Sequence, residues 1–143
     1  MNILVAVDQS PESADAAAVA TELFGEDHDY TFVSIAQYES PDNGLGIGTG
    51  PDMLAIRDQI VDTAIVNATK LAIKRADSVE VGDAAIAIEL GPVGPAICEM
   101  AADIDADVIV MGSKERSIWD RIFHPSVGRH VIDNAPCSVL VVR

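Results

Sequence analysis

The chain has 143 residues, of which 49% are apolar and only 4% aromatic, and its formal net charge is −14. This length suits one domain over residues 1–143, with a core of aliphatic side chains. The negative charge argues against nucleic acid and anionic membranes as partners, because phosphates would be repelled. No apolar stretch approaches the roughly 18 residues of a membrane span, and the N-terminus lacks a signal-peptide pattern, so we expect a cytoplasmic protein.

Apolar runs without regular polar alternation predict strands that are buried on both faces. The first such run, NILVAVD, ends in Asp8, and the second is rich in β-branched and aromatic residues, which favour strands. Three similar runs follow later in the chain. The sequence therefore predicts five strands, at residues 2–8, 30–37, 84–90, 107–111 and 138–142.

Helical signals fill the intervals between these strands. Ser10 is a candidate N-cap, Pro11 fits the first helical position, and Gly25 is suited to end the first helix. Apolar residues at helical spacing predict a long helix in the second interval. The four helices are expected at residues 11–24, at 52–76, after the turn at 91–95 up to about 104, and at about 126–134.

Strands that alternate with helices predict an α/β fold, a parallel sheet with right-handed crossovers and helices on both faces. Ligands in such folds bind at the carboxyl ends of the strands, where the strand order reverses. The segments expected there are Asp8, residues 35–37 and residues 111–113. Asp8 is placed to accept hydrogen bonds from a ribose hydroxyl or an adenine amine. The alternative is that its carboxylate caps the first helix.

A cationic island occupies residues 114–129. Four basic residues against two acidic ones give this segment a charge of +2, which leaves −16 on the rest of a chain of net charge −14. An island between a strand end and a helix start is suited to hold an anion. A solvated surface turn is the alternative. The island consists of Lys114, Arg116, Arg121 and Arg129, opposed by Glu115 and Asp120.

Three further features give weaker signals. The glycine-rich segment 38–51 matches neither the P-loop nor the dinucleotide fingerprint, so we expect a flexible connection there. Cys98 and Cys137 match no metal or redox spacing and are expected in the core. His124 and His130 flank the start of the last helix, where a ligand phosphate would lie. Neither histidine has a second ligand at metal spacing, so we predict no metal site.

Segments 106–113 and 134–142, with Ser126-Val127 between them, resemble the signature of the universal stress protein family. The first strand, ending in Asp8-Gln9-Ser10, resembles the opening motif of that family, so the resemblance covers the whole chain. It implies a flavodoxin-like, adenine nucleotide alpha hydrolase-like three-layer sandwich with strand order 3-2-1-4-5. It also implies a homodimer that pairs the last strands, Ser138–Arg143, of two subunits and so protects an open sheet edge.

Many members of the family bind ATP through the pattern G-x-x-G-x9-G-S/T. Gly112 holds the first glycine here, but Glu115 and Pro125 replace the second and third, and Ile118 stands where a further glycine is often found. Glutamate adds bulk and negative charge, and proline lacks the N–H donor. These departures imply that ATP binding is weakened by about a hundredfold or more, or is absent. The cationic island would offset part of that loss.

The sequence thus predicts a dimeric, non-enzymatic regulatory module of the stress response with an unidentified protein partner. ATP or AMP is the candidate cofactor, bound weakly or not at all. One alternative is an adenine-nucleotide switch that uses altered contacts, and another is a slow nucleotide hydrolase with Asp8 or Glu115 as its general base. No catalytic or metal residue is assigned. The candidate nucleotide-binding residues are Asp8, Val33, Ile35, Met111, Gly112, Ser113, Lys114, Arg116, Ser126 and Val127.

Overall fold

The computed structural model describes residues 1–37, 51–113 and 127–143, with the side chains of the second helix described from Leu54 onward. Within these ranges five strands alternate with four helices, as the sequence predicts. The strands are β1 (Asn2–Ala6), β2 (Asp29–Ala36), β3 (Ala85–Leu90), β4 (Val108–Gly112) and β5 (Ser138–Val142). The helices are α1 (Pro11–Phe24), α2 (Pro51–Ala76), α3 (Val93–Asp103) and α4 (Val127–Asn134).

The strands form one parallel sheet in the order β3-β2-β1-β4-β5. This confirms the predicted α/β class and the 3-2-1-4-5 order. The order reverses at β1, because β2 and β3 extend the sheet on one side and β4 and β5 on the other. The carboxyl ends of β1, β2 and β4 therefore lie next to one another, which is where a ligand crevice is expected.

Alternation along the strands divides the core into two layers, one on each face of the sheet. Ile3 and Val5 of β1 face α1, together with Phe32 of β2. Leu4, between them, faces the opposite side, where it packs with Ile97 of α3. Successive strand side chains point to opposite faces, and here both faces are covered by helices. The near-continuous apolar runs in the sequence are explained by this double burial.

The turn from β1 to α1 differs from the prediction at one boundary. Val7 still donates its N–H to the Val33 carbonyl at 2.8 Å, but the Asp8 N–H donates instead to Ser13 Oγ at 2.9 Å. The strand therefore ends at Ala6 rather than at Asp8. The predicted cap is confirmed, since Ser10 is extended (φ −70°, ψ 150°) and its Oγ accepts from the Ser13 N–H at 3.3 Å.

The other predicted boundaries agree to within one or two residues. Gly25 ends α1 with φ 81°, as predicted for a glycine at this position. β4 extends one residue further than predicted, because Gly112 still pairs with Val142. Cys98 and Cys137 are half-buried against the α3 side of the core, and burial raises the pKa of each thiol. The predictions for the glycine-rich loop lie outside the described residues.

Helix α2 is longer than the sheet that it covers. Its 26 residues span about 39 Å, whereas the eight residues of β2 span about 26 Å. Ala68 and Ala72 are buried, but residues 54–59 are exposed, and Ile56 keeps 46% of its surface in water. The apolar spacing that predicts the helix therefore overstates how much of it is buried within this chain.

We expect salt to stabilise this protein, because its net charge of −14 repels itself in the folded state and ions screen that repulsion. Raising KCl from about 0.05 M to about 0.5 M should raise Tm by about 5 °C or more. Thermal unfolding followed by circular dichroism measures the effect. The same scan near the pH of zero net charge is the control and should show a much smaller shift. A Tm that is equally insensitive to salt at both pH values would contradict the expectation.

Candidate functional site

The apolar part of the candidate site lies on the α3 and α4 face of the sheet. Val33, Ile35 and Met111 belong to one packed cluster on this face, at or near the carboxyl ends of β2 and β4. Met111 pairs with Ala6 in the central strand and is buried. Its Cε lies 3.9 Å from where a Cβ on Gly128 would stand, so the first turn of α4 packs over it. The structure therefore brings three predicted residues together in one apolar floor.

Asp8 lies at the end of β1 and is half-buried in the turn that leads to α1. Its Oδ1 accepts hydrogen bonds from the N–H of Ser10, at 2.9 Å, and from the hydroxyl of Ser10. Its own N–H is held by the buried Ser13 hydroxyl. One carboxylate oxygen thus stabilises the turn before α1, whereas the helix cap that the sequence offered as the alternative role of Asp8 is Ser10.

Gly112 at the end of β4 lies in close contact with the first turn of α1. A Cβ placed on Gly112 would stand 2.5 Å from the carbonyl carbon and the carbonyl oxygen of Glu12. No real Cβ tolerates such a distance from main-chain atoms, so the first turn of α1 sits where a side chain would be. The sequence predicts Gly112 as the first glycine of the family's ATP-binding pattern. Packing within the chain already requires a glycine at this position.

Ser113 continues the pairing of β4 with β5 beyond the last strand residue. Its N–H donates to the Val142 carbonyl at 2.7 Å. This amide is therefore committed to the sheet and does not point towards an incoming anion as a donor. Ser113 itself is half-buried.

The remaining predicted residues fall into two groups. Val127 is the first residue of α4 and is 37% exposed, so it borders the same edge as Met111. Lys114, Arg116 and Ser126 lie outside the described residues, as do the motif positions Glu115 and Pro125.

Two side chains near the start of α4 have local partners. The His130 ring lies against α3, since a Cβ on Gly94 would stand 2.8 Å from its Cδ2. Arg129 of the cationic island donates to Asp133 at 2.6 Å, and this hydrogen bond raises the pKa of the Arg129 guanidinium. Part of the island's positive charge is therefore already neutralised by a carboxylate one turn along the helix.

Arg75 also contacts this edge, and it is not among the residues predicted from the sequence. It lies in the last turn of α2, and its Nη2 donates to the Ser10 carbonyl at 3.0 Å and to the Asp8 carbonyl at 3.4 Å. A basic residue in the last turn of a helix is expected from the helix dipole alone, so no sequence signal marks this contact. Ser13 likewise carries no sequence signal, because reciprocal capping needs Glu or Gln three residues after the cap, and its hydroxyl accepts instead from the Asp8 N–H.

The sequence matches the model of the universal stress protein family over residues 1–143. The chain belongs to this family. The family resemblance and the fold that it implies are thereby both confirmed. No curated protein sequence matches the chain.

Solved structures of the family share its fold at low sequence identity. Universal stress protein UspA from Lactobacillus plantarum is 21% identical with a TM-score of 0.75, and the alignment covers 100% of this chain and 97% of that one. A universal stress protein in complex with cAMP is 21% identical with a TM-score of 0.71, at 100% and 97% coverage. A family protein from Arabidopsis thaliana with AMP bound is 15% identical with a TM-score of 0.61, at 99% and 90% coverage.

The described parts of the chain contain neither a membrane-spanning helix nor a group of metal-ligating side chains. Across residues 1–37, 51–113 and 127–143, no helix has the length and apolar character needed to cross a membrane. In the same ranges no three His, Cys, Asp or Glu side chains come together as metal ligands would.

Replacing Gly112 by alanine should destabilise the fold, because the new methyl group would displace the first turn of α1. We expect Gly112→Ala to lower the free energy of unfolding by about 2 kcal/mol. Urea denaturation monitored by circular dichroism measures this change. Gly82→Ala is the matched control, since Gly82 is exposed with no atom within 4 Å of the added Cβ. Equal stability of the two variants would show that the contact at Gly112 is not tight.

Proposed function

We propose that this chain is a regulatory module of the stress response that has no chemical step of its own and binds ATP weakly or not at all. The observation that carries this proposal is the Ser113 amide, which donates to the Val142 carbonyl at 2.7 Å. The first main-chain donor after Gly112 is thus used within the sheet. A triphosphate would depend on the donors that follow it.

The motif positions that follow support the same conclusion. Glu115 places a carboxylate where the family pattern has a glycine, and Pro125 has no N–H to donate. Repulsion from the carboxylate and loss of a donor to a charged acceptor each cost on the order of 1–3 kcal/mol. Two such penalties together correspond to a loss of affinity of about a hundredfold.

A second candidate function is an adenine-nucleotide switch that recognises ligands with fewer phosphates. Ile35 favours it, because this side chain near the end of β2 is half-buried and a planar base can pack against its exposed part. Two structural relatives were solved with cAMP and with AMP. Neither cAMP nor AMP carries three phosphates, so neither needs the main-chain donors that a triphosphate needs.

Restoring the family glycines should restore ATP binding. The double variant Glu115→Gly/Pro125→Gly is expected to bind MgATP about a hundredfold more tightly than the wild type, because it regains a donor and loses a negative charge. Isothermal titration calorimetry with MgATP measures this. AMP is the control ligand, and its affinity should change less than fivefold. Low-micromolar MgATP affinity in the wild-type protein would contradict the proposal.

The absence of a chemical step rests on the weakness of the candidate bases. In the structure Asp8 uses Oδ1 to accept from Ser10, which suits a structural carboxylate better than a general base. The alternative is a slow nucleotide hydrolase. A steady release of ADP that is lost in Asp8→Ala would support that alternative.

We also propose that the chain forms a homodimer through the strand Ser138–Arg143. β5 lies at one end of the sheet, and Val139, Leu140 and Val141 on it are each only half-buried. An open edge strand with apolar side chains is suited to pair with another strand. The geometry of β5 also shows which amides are available. Val142 turns its carbonyl towards β4, so alternation turns the main chain of Val141 outward.

Val141→Pro should therefore convert the dimer into a folded monomer, because it removes an outward donor and leaves the bonds to β4 in place. Size-exclusion chromatography with light scattering measures the mass, and circular dichroism checks the fold. Val141→Thr keeps the amide and should remain dimeric. A monomeric wild type, or a dimeric proline variant, would contradict this interface.

A further inference from the structure

One long-range contact holds the turn that carries Asp8. Arg75, in the last turn of α2, donates from Nη2 to the Ser10 carbonyl at 3.0 Å and to the Asp8 carbonyl at 3.4 Å. The partners are 65 and 67 residues apart along the chain. Both acceptors belong to the main chain of the β1-to-α1 turn.

This contact buries part of the charged guanidinium of Arg75, which costs free energy. The Nε atom of Arg75 is buried and has no hydrogen-bond partner among the residues that the structure describes. Burying an unpaired guanidinium N–H costs free energy. Lys74, the preceding residue, complements the helix dipole from an exposed position without this cost. The helix dipole therefore does not explain why Arg75 points inward.

Hydrogen bonds within the turn fix its shape, since Asp8 Oδ1 accepts from Ser10 and the Asp8 N–H donates to Ser13. The contact of Glu12 with Gly112 anchors the start of α1, just after the turn, to β4. Arg75 connects the turn to α2, a separate helix, and so constrains where the Asp8 carboxylate lies relative to the sheet edge.

We propose that Arg75 is a positioning residue for an adenine nucleoside, acting through Asp8 without touching the ligand. This inference rests on the adenine-nucleotide site proposed above. A single guanidinium nitrogen, Nη2, donates to both carbonyls, so one side chain ties two residues of the turn to α2. The contact thereby orders Asp8 before the ligand arrives, and pre-ordering of this kind increases affinity.

A double-mutant cycle tests this role, with AMP as the probe and calorimetry at 25 °C as the measurement. Arg75→Met should weaken AMP binding by about tenfold, and Arg75→Lys by less. Lys74→Met is the matched control on the same turn and should change the affinity less than twofold. In an Asp8→Asn background, Arg75→Met should weaken binding less than twofold further, because the group that it positions is already lost.

The Tm of each variant, measured by thermal unfolding, distinguishes a role of Arg75 in positioning Asp8 from a role in the stability of the fold. An Arg75→Met protein with a lowered Tm and wild-type AMP affinity would overturn the positioning role. A tenfold loss that persists in the Asp8→Asn background would also overturn it, since Arg75 would then act by another route. If neither Arg75→Met nor Arg75→Lys folds, Arg75 is a stability residue and the inference fails. If the wild type binds no AMP, the proposed nucleotide site itself fails.

Discussion

The contact between the first turn of α1 and Gly112 is the constraint on which the sheet edge depends. A Cβ at Gly112 would stand 2.5 Å from the main chain of Glu12, so the helix meets the strand with no side chain between them. This contact fixes the start of α1 above the end of β4. The turn that precedes α1, with Asp8 in it, therefore lies at the centre of the carboxyl edge, beside the point where the strand order reverses.

The same edge shows which features a sequence can predict and which it cannot. The Ser10 cap and the end of α1 at Gly25 follow from local chemistry, since each depends on residues within one turn. The sheet order follows from the alternation of elements together with the family resemblance. The Arg75 contact joins residues more than 60 positions apart. It cannot be predicted from the sequence, because an arginine at the end of a helix is already expected from the helix dipole. The use of the Ser113 amide depends on sheet register, which composition does not encode.

The pairing of charges near the site is a second feature that the sequence alone does not predict. The count of charges predicts a positive segment at residues 114–129 in a strongly acidic chain. It does not show that Arg129 pairs with Asp133, because that carboxylate lies outside the segment and meets Arg129 only through helical spacing. An exposed pair of this kind contributes little to stability, but it reduces the local field available to an anion. The formal charge of the segment therefore overstates the field that an anion would meet there.

These observations separate two kinds of recognition within one site. In the proposed site a nucleoside would contact Ile35 and the turn that carries Asp8. A triphosphate would need main-chain donors after β4, the first of which is committed to β5. Each added phosphate also brings negative charge to a chain of net charge −14. Removing phosphates from the ligand therefore reduces the repulsion and the demand for donors without reducing the burial of the base. The proposed site would then prefer AMP to ATP.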